Sequence, residues 1–421
     1  VEIHRAAMTT RVDMLLTTFI VIGLFQLYRW EDKLELKGLP IFIPLLLGCA
    51  VLTKGPVGVV LPLFVFGIYL LMLGQYSYLT IFKTLLYAGI SSLFLPMLWY
   101  TAAWKQGGDE FLNVVLAENF ARFLHLNTPE ISYDLGHENG VWYNFMTLAA
   151  GFIPWTIFFF FGLKLSKPEQ PIKEILKNTW KRIRSMEKVR LFSLVALIGI
   201  LFFYSIPSSK RSVYLMPAYP FIALFLAQYA LYITEYRTKV TRVFAAFLAS
   251  VVSVVMIAIL LTVFGIIDPV GIVGQYTQNA STLDMVRMVS KVLVHPSTLT
   301  ICIIFINLLI LGTVYYQMFK KINIKILYAT IALTFSINLL IDGVIMRGIR
   351  EGDSCRIFAE RILKEYPLNK KNVYVVNNLR IYRNLYGLNF YMGNIFHDFD
   401  KETPAKGYFL IGENEMEKVL S

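Results

Sequence analysis

The chain has 421 residues, of which 56% are hydrophobic, 15% aromatic and only 16% charged, and its mean hydropathy is +0.58. That balance excludes an ordinary soluble domain and calls for lipid as the solvent. The formal charge of +12 is therefore tested against membrane topology before nucleic acid is considered.

In chain order, apolar runs predict membrane helices over Asp13 to Leu27, Pro40 to Leu52, Val57 to Leu73, Leu79 to Tyr100 and Trp142 to Leu163. Further runs follow over Leu191 to Ile206, Val213 to Ile233, Val243 to Ile267, Ser297 to Phe319 and Ile326 to Val344. Many reach the roughly 20 residues that cross a hydrocarbon core. Val243 to Ile267 is almost continuously apolar, which excludes the short alternating strands of a membrane barrel. Pro40 to Leu52 is short, so it and Val57 to Leu73 read either as two helices or as a bent or re-entrant pair around Lys54, Gly55 and Pro56.

Orientation follows from the loops. Between Lys164 and Arg190 stand nine Lys or Arg residues against Glu169, Glu174 and Glu187, so this loop is expected in the cytoplasm. The loop at about 101–141 carries Lys105 and Arg122 against six acids and falls outside; the loops at 235–242 and 320–325 are again basic. The N-terminal stretch, the turns at Lys54 and at 208–212, and everything after Val344 are then outside. The expected division is a transmembrane domain over 1–349 and a small α/β domain over 350–421, with strand-like strings at Val373 to Val376 and Tyr408 to Ile411. The chain opens at Val1 directly into this pattern and reads as N-terminally truncated. Cys49, Cys302 and Cys355 have no pairing or metal-ligand spacing.

Four polar constellations fall on the outer side. Glu2, His4, Arg5, Arg11 and Asp13 precede the first long helix, and Asp13 is either an interfacial acid paired with Arg11 or part of a polar site wall. Thr53, Lys54, Gly55 and Pro56 place a cation where a lipid phosphate would sit, although snorkelling explains Lys54 equally. Ser208, Ser209, Lys210, Arg211, Ser212 and Tyr214 put two adjacent cations on the side that normally lacks them, which points to an anionic ligand. The acidic loop holds Glu118, Asn119, Arg122, His125, His137 and Glu138, followed by Trp142 and Tyr143; His137 beside Glu138 lacks the companions of a zinc site, so no metal is assigned. No phosphate-cradling G-x-x-x-x-G-K-[ST] loop occurs, so an enzyme here would use a donor already activated and carried by the membrane.

The ordered motifs Arg11-Val12-Asp13-Met14, Leu52-Thr53-Lys54-Gly55-Pro56, Glu118-Asn119 with Arg122-Phe123, His137 to Tyr143 with Pro154-Trp155, and Ser208 to Arg211 with Tyr214 to Pro217 resemble a known family. It is that of the bacterial 4-amino-4-deoxy-L-arabinose lipid A transferases, within the polytopic GT-C glycosyltransferases that include protein O-mannosyltransferases. The resemblance covers roughly Glu2 to Pro220 closely.

The resemblance implies an α-helical polytopic membrane protein of GT-C type with a small C-terminal α/β periplasmic domain, in a bacterial inner membrane. It implies transfer of a sugar, with inversion, from a polyprenyl-phosphate donor to a lipid A-like glycolipid or a protein, without a nucleotide sugar; no cofactor, metal or nucleic acid is assigned. Donor phosphate binding is carried to Lys54, Lys210, Arg211, Tyr214 and Arg122, and a catalytic role to Asp13; Arg11, Glu118, His137 and Tyr143 are further site candidates. The family's principal catalytic aspartate is expected upstream of Val1. The rival reading is a transporter or flippase of a polyprenyl-linked sugar, which should place buried charges near mid-membrane.

Overall fold

The computed structural model describes residues 2–9, 11–34, 38–116, 139–163, 172–207, 209–369, 372–375, 382–402 and 404–411. Its helices begin with α1 (Glu2–Ala7), α2 (Val12–Trp30), α3 (Phe42–Lys54), α4 (Val57–Leu73) and α5 (Tyr78–Leu116). Next come α6 (Tyr143–Gly151), α7 (Trp155–Gly162), α8 (Ile172–Arg184), α9 (Lys188–Ser205), a 3-10 segment (Ser212–Ala218), α10 (Tyr219–Tyr236) and α11 (Thr238–Val263). Then follow α12 (Pro269–Gly274), α13 (Ala280–Val294), α14 (Thr298–Lys320), α15 (Asn323–Leu340), a π turn (Ile341–Ile345), α16 (Met346–Asp353) and α17 (Cys355–Glu365). The remainder is β1 (Val373–Val375), α18 (Tyr382–Met392), β2 (Phe396–Asp398), α19 (Phe399–Glu402) and β3 (Tyr408–Phe409). Among the described residues, seven helices are long and apolar enough to span a membrane, or eight if the pair α6 and α7 counts as one; α3 and α4 are shorter apolar helices. The chain is a multi-span helical membrane protein.

Two expectations change. The run Trp142 to Leu163 is not one straight helix: α6 and α7 meet at 100°, across Phe152–Pro154, where proline offers no N–H to continue the ladder. The run Leu79 to Tyr100 does not end at the apolar limit either, because α5 continues to Leu116 through a break at Gly108, whose φ is 63°. Lys105, Gln106, Asp109 and Glu110 are compatible with a helix in water, so the apolar limit marks where lipid stops and not where the helix does.

The chain divides into two compact units, 1–246 with 320–328, and 247–319 with 329–421. In the first, α2 packs on α3 and α4, α3 on α5, and α4 on α9. Leu16, Ile20, Leu24 and Leu27 recur every three or four residues along α2 and are buried against Ile43 and Leu47 of α3, Val65, Phe66 and Tyr69 of α4, and Phe192 and Ala196 of α9. The opposite faces stay apolar, with Leu15, Ile22 and Phe25 exposed, as a lipid-facing helix requires. Where α3 turns into α4, Gly55 has φ 77° and closes α3 by donating its N–H to Val51 O at 2.7 Å. A side chain would strain that left-handed residue, and Pro56 beyond it stops the helix from continuing. One turn on, a Cβ on Gly58 would collide with the backbone of Ala50, so glycine permits the tight α3–α4 approach.

In the second unit, the Asp268 carboxylate caps α12 and the Asn279 amide oxygen caps α13; α13 packs on α16. The C-terminal sheet is parallel with order β2-β1-β3, two of its strands falling on the strand-like strings. Its small core joins Ala359, Val373, Leu388, Met392 and Ile395.

A polar clasp closes the C-terminal end of α2. The Glu31 side chain is only 1% exposed and accepts from Lys188 Nζ at 2.8 Å, while Lys188 also reaches Asp32 at 2.7 Å. The Tyr76 hydroxyl donates to Glu31 at 2.7 Å. The clasp ties the ends of α2 and α9 to the α4–α5 turn. Glu31→Ala is expected to lower unfolding stability by about 2–4 kcal/mol, because a buried partner set is left unpaired. Asp32→Ala, at an exposed position, should cost below about 1 kcal/mol; denaturant midpoints in detergent would expose equal effects if burial were irrelevant.

Candidate functional site

At the other end of α2, three separate stretches of sequence converge. Asp13 stands in the first turn of α2 and Lys54 in the last turn of α3, the helix ends at which an anion and a cation respectively are favoured. They form an ion pair, with side chains 10% and 30% exposed. Asp13 therefore pairs with Lys54 and not with its neighbour Arg11, which is exposed at the N-cap of α2. Lys54 Nζ also lies 4.2 Å from the ring centroid of Tyr214, a cation–π contact that directs the ammonium toward the 3-10 segment. The Tyr204 ring packs on Tyr214 at 5.5 Å.

The 3-10 segment is the hub of this end, packed by α1, α2, α6, α9 and α10. Just before it, Lys210 is 5% exposed, and its Nζ donates to Pro207 O at 2.7 Å and Asn139 O at 3.2 Å. Asn139 returns a bond from Nδ2 to Lys210 O at 3.1 Å. The Lys210 ammonium thus closes a turn with two of its three donors. Arg211 differs: among the described residues its Nε is buried without a hydrogen-bond partner. A donor left so costs about 1–3 kcal/mol, which a ligand acceptor would recover.

A second carboxylate lies alongside. Glu2 is buried and accepts from Arg5 Nη2 at 2.6 Å and Nε at 2.9 Å, and from the Ser212 hydroxyl at 2.7 Å. Burial opposes the charged form of Glu2, but the bonds from Arg5 and Ser212 outweigh it and leave its pKa below the ordinary 4.5. Tyr143, the first residue of α6, is half-buried, and α6 packs on α1. Behind it, Asn144 Nδ2 donates to Tyr204 O at 3.0 Å and Ser205 Oγ at 3.1 Å, fastening α6 to α9.

Of the sequence candidates, Lys54 is thus in direct contact with both Asp13 and Tyr214, Lys210 and Arg211 shortly precede Tyr214 in the chain, and Tyr143 opens α6, which packs on α1. Ser208, Glu118, Arg122, His125, His137 and Glu138 lie outside the described residues. Among the described residues no group of three or more His, Cys, Asp or Glu gathers. Tyr204, Asn139 and Asn144 were not singled out from sequence. An amide within the apolar run after Trp142 is the only local signal for Asn144.

No family model matches the sequence. An uncharacterized protein of Aquifex aeolicus is 30% identical over 216 residues, which are 51% of this chain and 37% of that protein. The crystal structure of ArnT from Cupriavidus metallidurans bound to undecaprenyl phosphate superposes with a TM-score of 0.59 at 16% identity, covering 96% of this chain and 67% of that one. Its apo structure gives 0.57 at 17% identity, covering 91% and 60%. The chain has the ArnT fold, the GT-C architecture that the resemblance implied, and spans about two thirds of ArnT's length.

Two outcomes follow from the geometry. A double-mutant cycle of Asp13→Asn and Lys54→Met, read by unfolding in detergent, should give a coupling of about 1–3 kcal/mol; additive effects would show that the pair is not formed. Because the folded pKa of Glu2 is depressed, its contribution is complete above pH 4.5 and is lost as pH falls through the folded value. Glu2→Gln should therefore flatten the acid limb of the Tm–pH curve below pH 4.5, and an unchanged limb would contradict the assignment.

Proposed function

We propose that this protein is a membrane glycosyltransferase that moves a sugar from a polyprenyl-phosphate donor to an acceptor at the α2 N-terminal end of the bundle. The observation that carries this reading is Lys54, aimed by Asp13 and Tyr214, together with Arg211, three residues before Tyr214, whose buried Nε has no hydrogen-bond partner among the described residues, in a chain with the fold of a protein crystallised with undecaprenyl phosphate. Lys54 and Arg211 bind the donor phosphate, and the Tyr214 hydroxyl is an additional neutral donor. Lys210 shapes the turn that presents Arg211. Asp13 acts on the reaction by holding Lys54.

In the transfer, an acceptor oxygen bonds to the anomeric carbon as the bond from that carbon to the donor phosphate breaks, and the electron pair leaves on polyprenyl phosphate. Cations already fixed at the leaving group stabilise this charge without reorganising, an effect worth several kcal/mol in a water-poor site. A lipid A-like glycolipid fits the acceptor role in this reading, and the face is the periplasmic side of an inner membrane, in keeping with the basic residues of 178–190 at the opposite end of α2.

The test is transfer from undecaprenyl-phosphate-linked sugar by the full-length protein in liposomes. Arg211→Ala is expected to lower kcat/KM by about 10²-fold or more, with the unfolding midpoint kept or raised because a buried orphan donor is removed. Wild-type transfer in the Arg211→Ala and Lys54→Ala variants would sink the phosphate assignment. Movement of the lipid-linked sugar across the bilayer with no glycosidic product would favour a flippase.

A further inference from the structure

The end of the first unit opposite Asp13 carries a positive surface with no part in the proposed transfer. In sequence, positions 172–184 repeat apolar residues at 172, 175, 176, 180 and 183, and Lys or Arg at 173, 177, 181, 182 and 184. That is the alternation of a helix lying in a membrane interface. In the structure these positions form α8, which ends shortly before α9, itself apolar and long enough to span a membrane. Ile183 and Met186 pack against the main core, so the C-terminal part of α8 is seated on the bundle. Trp180, one turn earlier, is 53% exposed, and Lys181, Arg182 and Arg184 are exposed with it.

The charge here is not internally compensated. Between Asn178 and Arg190 stand Lys181, Arg182, Arg184, Lys188 and Arg190 against Glu187 alone. Lys188 is engaged by Glu31 and Asp32, whereas among the described residues the other four cations have no ion-pair partner. Arg184 lies beside the Gly74 turn at the end of α4. The first residue of α9, Lys188, is four positions further on, a reach of at most about 14 Å. The cations thus stand within a few residues of the start of a helix long and apolar enough to span a membrane. An acidic soluble partner would match the sign of this surface; the exposed Trp180 among the cations, so close to a span, fits a lipid surface better.

We propose that α8 lies in the membrane interface and binds the phosphate headgroups of anionic phospholipids through Lys181, Arg182, Arg184 and Arg190, with Trp180 set at the headgroup–acyl boundary. This surface is independent of the transfer reaction and belongs to the opposite leaflet. It gives the α9 end a lipid-dependent anchor beside the Glu31–Lys188 clasp.

The experiment uses the full chain in nanodiscs of phosphatidylcholine and phosphatidylglycerol, with brominated acyl chains on one lipid or the other, so that tryptophan is quenched only by its neighbours. Subtracting the signal of Trp180→Phe isolates Trp180. At low salt, Trp180 should be quenched several-fold more efficiently by brominated phosphatidylglycerol than by brominated phosphatidylcholine, since each cation near an anionic surface contributes about five-fold. The preference should disappear in the combined Lys181→Gln, Arg182→Gln and Arg184→Gln variant. In the unaltered chain it should fall steeply with salt, a series that holds even if the variant does not fold. Equal quenching by the two lipids, absence of quenching by either, or a preference that survives high salt would overturn the proposal. So would its loss to inorganic phosphate beyond what chloride at the same ionic strength causes, which would identify a free-phosphate site instead of a lipid one.

Discussion

The contact on which the functional end of this molecule depends is the ion pair between Asp13 and Lys54. Each residue alone at the edge of hydrocarbon would be costly. Placed at the first turn of α2 and the last turn of α3, each is favoured by its own helix dipole and neutralised by the other. The two helix ends are thereby locked, and the ammonium rests on the Tyr214 ring. Once Tyr214 is fixed, the rest of the 3-10 segment has little freedom: Lys210 and Arg211 enter it, and Ser212 meets Glu2. A local electrostatic requirement at two helix termini therefore organises residues about 160 positions further along the chain.

The same helix carries an acid at both ends, and the two are used differently. Asp13 and Glu31 are 18 residues apart, about 27 Å along a helix, close to the thickness of a hydrocarbon core. Charged rungs at that separation set the depth of α2 as well as its partners. At one end the cations gather around buried acids and an aromatic ring, with Arg211 Nε unsatisfied among the described residues. At the other, Lys188 is absorbed by Glu31 and Asp32, while among the described residues Lys181, Arg182, Arg184 and Arg190 have no ion-pair partner. The first arrangement suits recognition of a specific phosphate, the second a diffuse anionic surface.

Much of this was readable beforehand. All ten apolar runs are helical, and the strings at 373–376 and 408–411 supply two of the three strands. The motifs around Asp13, Lys54 and Tyr214 pointed to a single polar wall at one membrane boundary, and these three side chains do meet. The partner of Asp13 was not readable, because Arg11 is two residues away and Lys54 is forty-one. Nor was the burial of Lys210, whose ammonium is taken up by the carbonyls of Pro207 and Asn139. The break between α6 and α7 was hidden because Phe152, Ile153 and Pro154 leave the run apolar; hydropathy sums over a window and is blind to a missing N–H.

By itself the sequence determined that the chain must live in lipid, which segments are helical, where cations concentrate and which residue types stand at each boundary. These are properties of composition and of spacing within one helix, and each can be summed locally. Tertiary structure alone decided which helix ends touch. It turned Glu2, Arg5 and Ser212 into one network across some 207–210 positions, left Arg211 Nε buried without a partner among the described residues, and gave Asp13 to Lys54. An ion pair or a buried donor is defined by its surroundings in three dimensions, and no sum along the chain contains them.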